Sequence, residues 1–369
     1  MIPAPVSTVA PSRATGHPIR WGVVATGSIA QRVVEDLALL EDSVLQAVSS
    51  RTEASARSFA EKFGFVSAYS DVGETPGYER LLADPAVDVV YVATPHAQHH
   101  VVALAALNAG KHVLCEKPLA MDAVQARELA DLARDKGLFL MEAVWTRFLP
   151  SFCRAMEILR SEEIGEPRWL QADLGFVPAY DPASRIWDPA AGGGALLDLA
   201  VYPLTWALGV FGEPRSLLAN GVLTPEGVDL QSSVTLDYQG GAHAQFITSI
   251  GTECPGVVTV GGTEGWLRSS APLFKPAELV IQPRSGTLRT EEFEVLGHGF
   301  SYELREVTRC LQAGLTKSPF MTPEESVGTM ELLDEARRQM GLRYPSDLQT
   351  PTAAGPLAGT PAPHTALRA

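Results

Sequence analysis

Basic residues are scarce in this chain: 29 Lys and Arg stand against 43 Asp and Glu, a formal net charge of −14. Binding a nucleic-acid backbone needs clustered cations, so nucleic acid is excluded as a partner, whereas one small phosphate site is not. Cysteine is sparse as well. Cys115, Cys153, Cys254 and Cys310 lie far apart with no Cys-x-x-Cys, which argues against a zinc site or a disulfide framework and suits a reducing, cytoplasmic compartment. The most apolar stretch, residues 195–211, contains Asp198 and Pro203 and is too short to span a bilayer, so no membrane partner is expected. It reads as a buried helix that Pro203 kinks just after Tyr202. The N-terminus has neither an apolar signal core nor a twin arginine. Residues 1–18 are rich in Pro, Ala, Ser and Thr and read as a disordered leader, and residues 348–369 as a disordered tail.

What is present is ordinary for a globular enzyme: 369 residues, 46% hydrophobic and 20% charged, enough for two domains. From residue 19 to 142 short apolar runs alternate with helical patterns, which implies a doubly wound parallel sheet. Residues 19–26 form a buried strand that Gly27 breaks, and Ile29, Val33, Leu37 and Leu40 fit the face of a helix. Between them lies Ala25-x-Gly27-x-x-Ala30, a dinucleotide fingerprint with alanine in the first and third places. Ala25, Thr26, Gly27, Ser28, Ile29 and Ala30 therefore form the expected pyrophosphate turn, with the helix N-terminus facing the anion. The next strand ends Ser49-Ser50-Arg51-Thr52 with no acid to grip a ribose hydroxyl. Ser50 and Arg51 suit a 2′-phosphate instead, so NADP is the expected cofactor, with NAD possible.

A third strand, residues 87–94, leads into Thr94-Pro95-His96-Ala97-Gln98-His99-His100. No Cys or carboxylate stands nearby to complete a metal site, so Thr94, Pro95, His96 and His99 are expected to pack over the cofactor. The fourth strand ends on Glu116-Lys117-Pro118, which presents Glu116 and Lys117 at the carboxyl edge of the sheet, where ligands of open α/β sheets bind. A lysine there can do proton chemistry or tune a neighbour that does.

After Glu142 the texture changes. Trp145 and Arg147 lie in an aromatic, basic stretch. Gly192-Gly193-Gly194 precedes a helix on which Asp198 and Tyr202 are four apart and share a face. A buried Asp needs a partner. From about residue 215 to 295 alternating strands imply a mainly antiparallel open sheet, and two helices close the chain. The expected division is 19–142 for the dinucleotide domain and 143–347 for a substrate-binding and oligomerisation domain.

Taken together, these motifs resemble the Gfo/Idh/MocA oxidoreductases over about residues 19–347, and within that family the branch of dimeric dihydrodiol dehydrogenases and NADP-dependent xylose dehydrogenases. The resemblance implies a Rossmann domain followed by an α/β domain with a large open sheet, and hydride transfer between a nicotinamide and a sugar or vicinal diol. It implies Tyr202 as general acid/base, Lys117 beside it, and a homodimer or higher homo-oligomer built through the second sheet. Asp198 is expected to orient Lys117 or bind a substrate hydroxyl. Trp145, Arg147 and Arg185 are substrate-side candidates, the two arginines being equally readable as structural ion pairs. A cofactor-recycling sugar oxidoreductase is the nearest alternative. A non-catalytic NADP sensor is the other, although it would have no need of Lys117, Asp198 and Tyr202 together.

Overall fold

The computed structural model describes residues 10–348. The first half alternates β1 (Ile19–Val24), α1 (Ser28–Leu37), β2 (Ser43–Ser50), α2 (Glu53–Phe63), β3 (Ser67–Ser70), α3 (Gly77–Leu82), β4 (Val89–Val92), α4 (His96–Asn108), β5 (His112–Glu116), α5 (Ala123–Lys136) and β6 (Leu140–Ala143). The strands are short apolar runs and β4 is buried throughout, as strands covered on both faces must be. They pair in parallel in the order β3-β2-β1-β4-β5-β6. Strand order reverses between β1 and β4, which opens a crevice at their carboxyl ends. Helix α4 begins directly after Pro95, its N-cap. Asp122 caps α5 by accepting from Gln125 N at 2.8 Å.

The second half contains α6 (Pro150–Arg160), β7 (Pro167–Gly175), α7 (Ala195–Leu199), α8 (Val201–Phe211), β8 (Ser216–Leu223), β9 (Asp229–Asp237), β10 (His243–Ser249), β11 (Val258–Gly262), β12 (Gly265–Ser269), β13 (Glu278–Pro283), β14 (Arg289–Glu292), α9 (Ser301–Gln312) and α10 (Pro323–Met340). Its eight strands run in the order β14-β13-β12-β11-β7-β10-β9-β8. All neighbours are antiparallel except β7 and β10. Helices α6, α7 and α8 cover one face. The other face is open: along β10, exposed His243, Gln245 and Ile247 alternate with buried Ala244, Phe246 and Thr248.

Three expectations change. The apolar helix does not kink after Tyr202. Pro203 has no N–H for the carbonyl of Leu199, and its ring crowds that carbonyl. The helix therefore breaks upstream, between α7 and α8, where the chain bends by 41°. Pro203 occupies the first turn of α8, where proline is tolerated, and Tyr202 sits at the bend.

The expected leader is in part ordered. Within it, Thr15 N donates to Asp42 at 2.8 Å, Arg305 Nε to the carbonyl of Pro11 at 2.7 Å and Gln312 Nε2 to that of His17 at 2.8 Å. The buried Asp42–Arg305 pair anchors this strap. Residues 1–9 and, of the expected tail, 349–369 lie outside the described residues.

Finally, the closing helices return to the first sheet. Helix α9 packs on α1 and β1, and α10 packs on α5 and β6 as well as β8. Asp36 of α1 fixes the start of α9. Its carboxylate accepts from the amides of His298 (2.7 Å), Gly299 (3.0 Å), Phe300 (2.8 Å) and Ser301 (3.0 Å), which satisfies the orphan donors of a helix start. The division at 142/143 is therefore a boundary in sequence that the packing does not respect at the far end of the chain. Among the described residues, no single helix is long and apolar enough to cross a membrane.

Candidate active site

A cleft of about 1100 Å³ runs along the carboxyl ends of the parallel strands and is closed from above by the second sheet. At one end lies the turn between β1 and α1. Ala25 holds φ +86°, the left-handed region where glycine is usual, so this alanine carries about 1 kcal/mol of strain. Gly27 caps α1 without a side-chain bond, leaving the first amides of the helix to face the cleft. A Cβ on Gly27 would meet nothing within 4 Å. Open space against an uncapped helix N-terminus is what a pyrophosphate requires. Thr26, Ser28 and Ile29 line the same end, and Ala30 lies buried beneath it. The Thr26 and Ser50 hydroxyls are 3.2 Å apart. Arg51, just after β2, and Arg32 in α1 stand exposed on the rim, with Asp71 on the same lining. The residues present therefore fit a dinucleotide.

The middle of the cleft is built by the loops after β4 and β5. Thr94 and Pro95 line it. His99 is fully buried and ties the two loops together: Nδ1 lies 2.7 Å from the carbonyl of Pro118 and Nε2 2.8 Å from that of Thr94. His96 faces the carbonyl of Gly192 through Nδ1 at 3.2 Å. Burial pushes its pKa down to about 3, so the ring is neutral. Glu116 lines the cleft and accepts from the Tyr91 hydroxyl at 2.5 Å. Burial raises its carboxyl above the usual range.

At the far end, Lys117 reaches across to α7. Its Nζ donates to the Asp198 carbonyl at 2.7 Å and to Asp198 Oδ1 at 3.1 Å. Arg185 approaches the same carboxylate through Nη1 at 3.2 Å and Nη2 at 3.4 Å, and His96 Nε2 lies 3.7 Å away. Burial alone would raise Asp198, but Lys117 and Arg185 outweigh it and hold the carboxyl well below its usual range. Burial likewise lowers Lys117, and Asp198, Tyr202 and Glu116 more than restore it, so this lysine is a cation. Its Nζ lies 5.1 Å from the centre of the Tyr202 ring. Burial raises Tyr202, while Lys117 and a hydrogen bond from Trp145 Nε1 to the Tyr202 hydroxyl, 3.3 Å long, pull the other way. Trp145 continues into an aromatic wall, with Phe300 at 4.6 Å and Phe274 at 5.9 Å between ring centres.

The structure thus gathers every residue singled out for the site into or directly beneath one cleft, save Arg147. That arginine was a substrate-side candidate. The 3-10 turn at Trp145–Phe148 aims Trp145 at the cleft and turns Arg147 away from it. Arg147 is buried against α10, bonded to Glu325 at 2.8 Å, and is a structural ion pair. Sequence reading missed Arg32, Phe176, Phe274 and Phe300, all on the cleft wall. Arg32, one turn along the helix from Gly27, was within reach of a periodicity argument. The three phenylalanines are brought in by tertiary packing and left no local signal.

Residues 19–144 match the family model described as oxidoreductase family, NAD-binding Rossmann fold. Residues 152–268 match that of the GFO/IDH/MocA C-terminal domain. The trans-1,2-dihydrobenzene-1,2-diol dehydrogenase of Sus scrofa is 38% identical over 339 residues, which cover 89% of this chain and 99% of that protein. Among solved structures, the aldose-aldose oxidoreductase of Caulobacter crescentus, complexed with glycerol, has a TM-score of 0.78 at 25% identity over 88% of this chain and 97% of its own. A 3-ketoreductase of Actinomadura kijaniata, in complex with TDP-benzene and NADP, has a TM-score of 0.75 at 28% identity over 88% and 98%.

Proposed function

The chain belongs to the Gfo/Idh/MocA oxidoreductase family, and from that premise we propose that it is an NADP-dependent dehydrogenase of sugars or vicinal diols, with Tyr202 as general acid/base and Lys117 as the cation that tunes it. One observation carries the reading: Lys117, Asp198 and Tyr202, distant in sequence, converge in the cleft that also holds the uncapped N-terminus of α1.

Bound nicotinamide supplies or accepts the hydride. The chain's own residues handle the proton and the fit. Tyr202 takes the proton of the reacting hydroxyl in oxidation and returns it in reduction. Lys117 favours the phenolate form. Asp198 anchors Lys117 and accepts from a neighbouring substrate hydroxyl. Arg185 offers donors on the same side, and Trp145 with Phe274 and Phe300 presents an aromatic face to the flat side of a ring. Such a wall also excludes water and strengthens the charge interactions inside. The name of the Sus scrofa relative, a diol dehydrogenase, and that of the Caulobacter neighbour, an aldose oxidoreductase, fit this amphipathic cleft. Arg51, helped by Arg32, is assigned to the 2′-phosphate, with Ser50 and Thr26 beside it; Thr94, Pro95, His96, His99 and Glu116 line the nicotinamide half.

The open face of the second sheet is assigned to a homo-oligomer contact. Trp169, Leu218 and Ile247 are all exposed on it, at 39%, 61% and 42%. A reducing, cytoplasmic compartment is proposed on the strength of the four free thiols, three of them buried.

The test is a purified sample followed by NADPH absorbance and fluorescence with a panel of aldoses, polyols and trans-diols. Turnover of at least one class is expected. Cofactor binding without turnover on any of them would support a sensor, and cofactor that survives purification would mark a recycling enzyme.

A further inference from the structure

The triple glycine ahead of α7 is a junction. Gly193 N donates to the carbonyl of Asp188 at 3.0 Å and Gly194 N to that of Ile186 at 2.9 Å, which ties the turn to the segment that carries Arg185. The carbonyl of Gly192 faces His96, and that of Gly193 accepts from the Tyr344 hydroxyl at 2.7 Å. Gly194 then takes φ +107°. A Cβ there would lie 2.2 Å from Asp229 Oδ1, so only glycine lets this carboxylate approach. Asp229 is fully buried at the start of β9 and accepts from Leu196 N at 2.9 Å.

Helix α7 has five residues, and Asp198 is the fourth. A helix of this length does not hold its own direction, and its far end is broken at the bend into α8. Its direction must come from outside, and the bond from Leu196 to Asp229 is the side-chain contact at its start. Burial pushes the Asp229 carboxyl up to about 7, an unfavourable place for a charge and therefore a site kept for what it holds rather than for stability. Resting on the roles given above to Lys117, Asp198 and Tyr202, we infer that Asp229 is a positioning residue: by holding the first turn of α7 it sets the aim of Asp198, and through it Lys117 and Arg185, without lining the cleft.

The test compares Asp229→Ala and Asp229→Asn with the full-length wild type in three measurements. These are NADP affinity by fluorescence, kcat and KM on a turned-over sugar or diol, and the carbon-13 titration of the Asp198 carboxyl. Asp229→Ala is expected to keep NADP affinity within about twofold and to lower kcat about tenfold or more with a smaller change in KM. In that variant the Asp198 carboxyl should titrate at higher pH than in the wild type. Asp229→Asn, whose side-chain oxygen still accepts from Leu196 N, should recover most of kcat. Asp229→Ser stands in if the alanine variant does not fold. An unchanged kcat in the alanine variant, or an asparagine variant as impaired as the alanine one, overturns the inference. If the wild type turns over no sugar or diol, the dehydrogenase reading fails by itself. The titration then decides the positioning role alone, and an Asp198 carboxyl unmoved by Asp229→Ala overturns it.

Discussion

Replacing Lys117 with methionine keeps the length of the side chain and removes its charge. The ammonium sits 5.1 Å from the centre of the Tyr202 ring. At an effective dielectric of about 20, a cation at that distance favours the phenolate by about 3 kcal/mol. Asp198, 3.1 Å from the same Nζ, acts in the opposite sense on Tyr202 and remains in the variant, so the loss is about 3 kcal/mol, or roughly 100-fold in kcat at neutral pH. The pH profile carries the decisive information. Burial already raises Tyr202 and Lys117 opposes it. Without the lysine the tyrosine rises further, and the limb on which diol oxidation increases with pH moves to higher pH. Both enzymes stay on that limb while pH is below the raised wild-type phenol, so the deficit should hold steady there and shrink only as pH passes above about 10. NADP affinity, measured separately by fluorescence, distinguishes this from a loss of cofactor. Full activity at pH 7, or a rising limb that lies at the same pH as in the wild type while cofactor still binds, would refute an electrostatic role for Lys117.

Arg51→Ala should weaken NADP by about 10- to 100-fold, the worth of one charged hydrogen bond, and leave NAD almost unaffected; titration of both cofactors by fluorescence checks it, and equal losses contradict the 2′-phosphate assignment. Trp145→Phe removes the 3.3 Å donor to the Tyr202 hydroxyl and should cost about threefold to tenfold in kcat, again relieved at high pH. Asp42→Asn tests the strap. Burial raises Asp42, but Arg305, the Thr15 amide and Gln312 together hold it well below the usual carboxylate range. A carboxylate held low stabilises the fold above its unfolded pKa of about 4 and loses that contribution as pH falls through its folded value. Urea unfolding should then show a loss of about 3 kcal/mol at pH 7 and a shrinking difference below pH 4. Ile247→Glu, on the open face of the second sheet, should shift the sedimentation profile toward monomer without changing the melting temperature by more than a few degrees.

How much of this was legible in the sequence depended on how local the cause was. The turn at Gly27, the end of β5 at Lys117 and the shared face of Asp198 and Tyr202 follow from periodicity and from what glycine and proline do to a backbone, and all of them stand in the cleft. Pro203 was read as acting at its own position, whereas its missing N–H and its ring act on a carbonyl one turn upstream. Arg147 and Trp145 are two residues apart and could not be told apart by composition, because a 3-10 turn sends them to opposite sides. Phe274 and Phe300 come from a loop and a helix start that only tertiary packing brings to the cleft. The packing of α9 and α10 on the first sheet likewise has no signature in either helix alone. A capping pair such as Thr322 with Glu325, by contrast, needs only a local spacing of three residues, and both of its bonds are present.

The Asp36 carboxylate has a consequence for modularity. It lies on α1, the helix whose other end opens onto the dinucleotide cradle. The four amides it receives start α9 and include that of Phe300, which forms part of the substrate-side wall. A fragment ending near residue 142 would leave Asp36 without its donors and would uncover the faces of α1 and α5 on which the closing helices lie. The dinucleotide half therefore shares its packing with α9 and α10, and a graft onto another substrate domain would have to replace the cover that both helices give it.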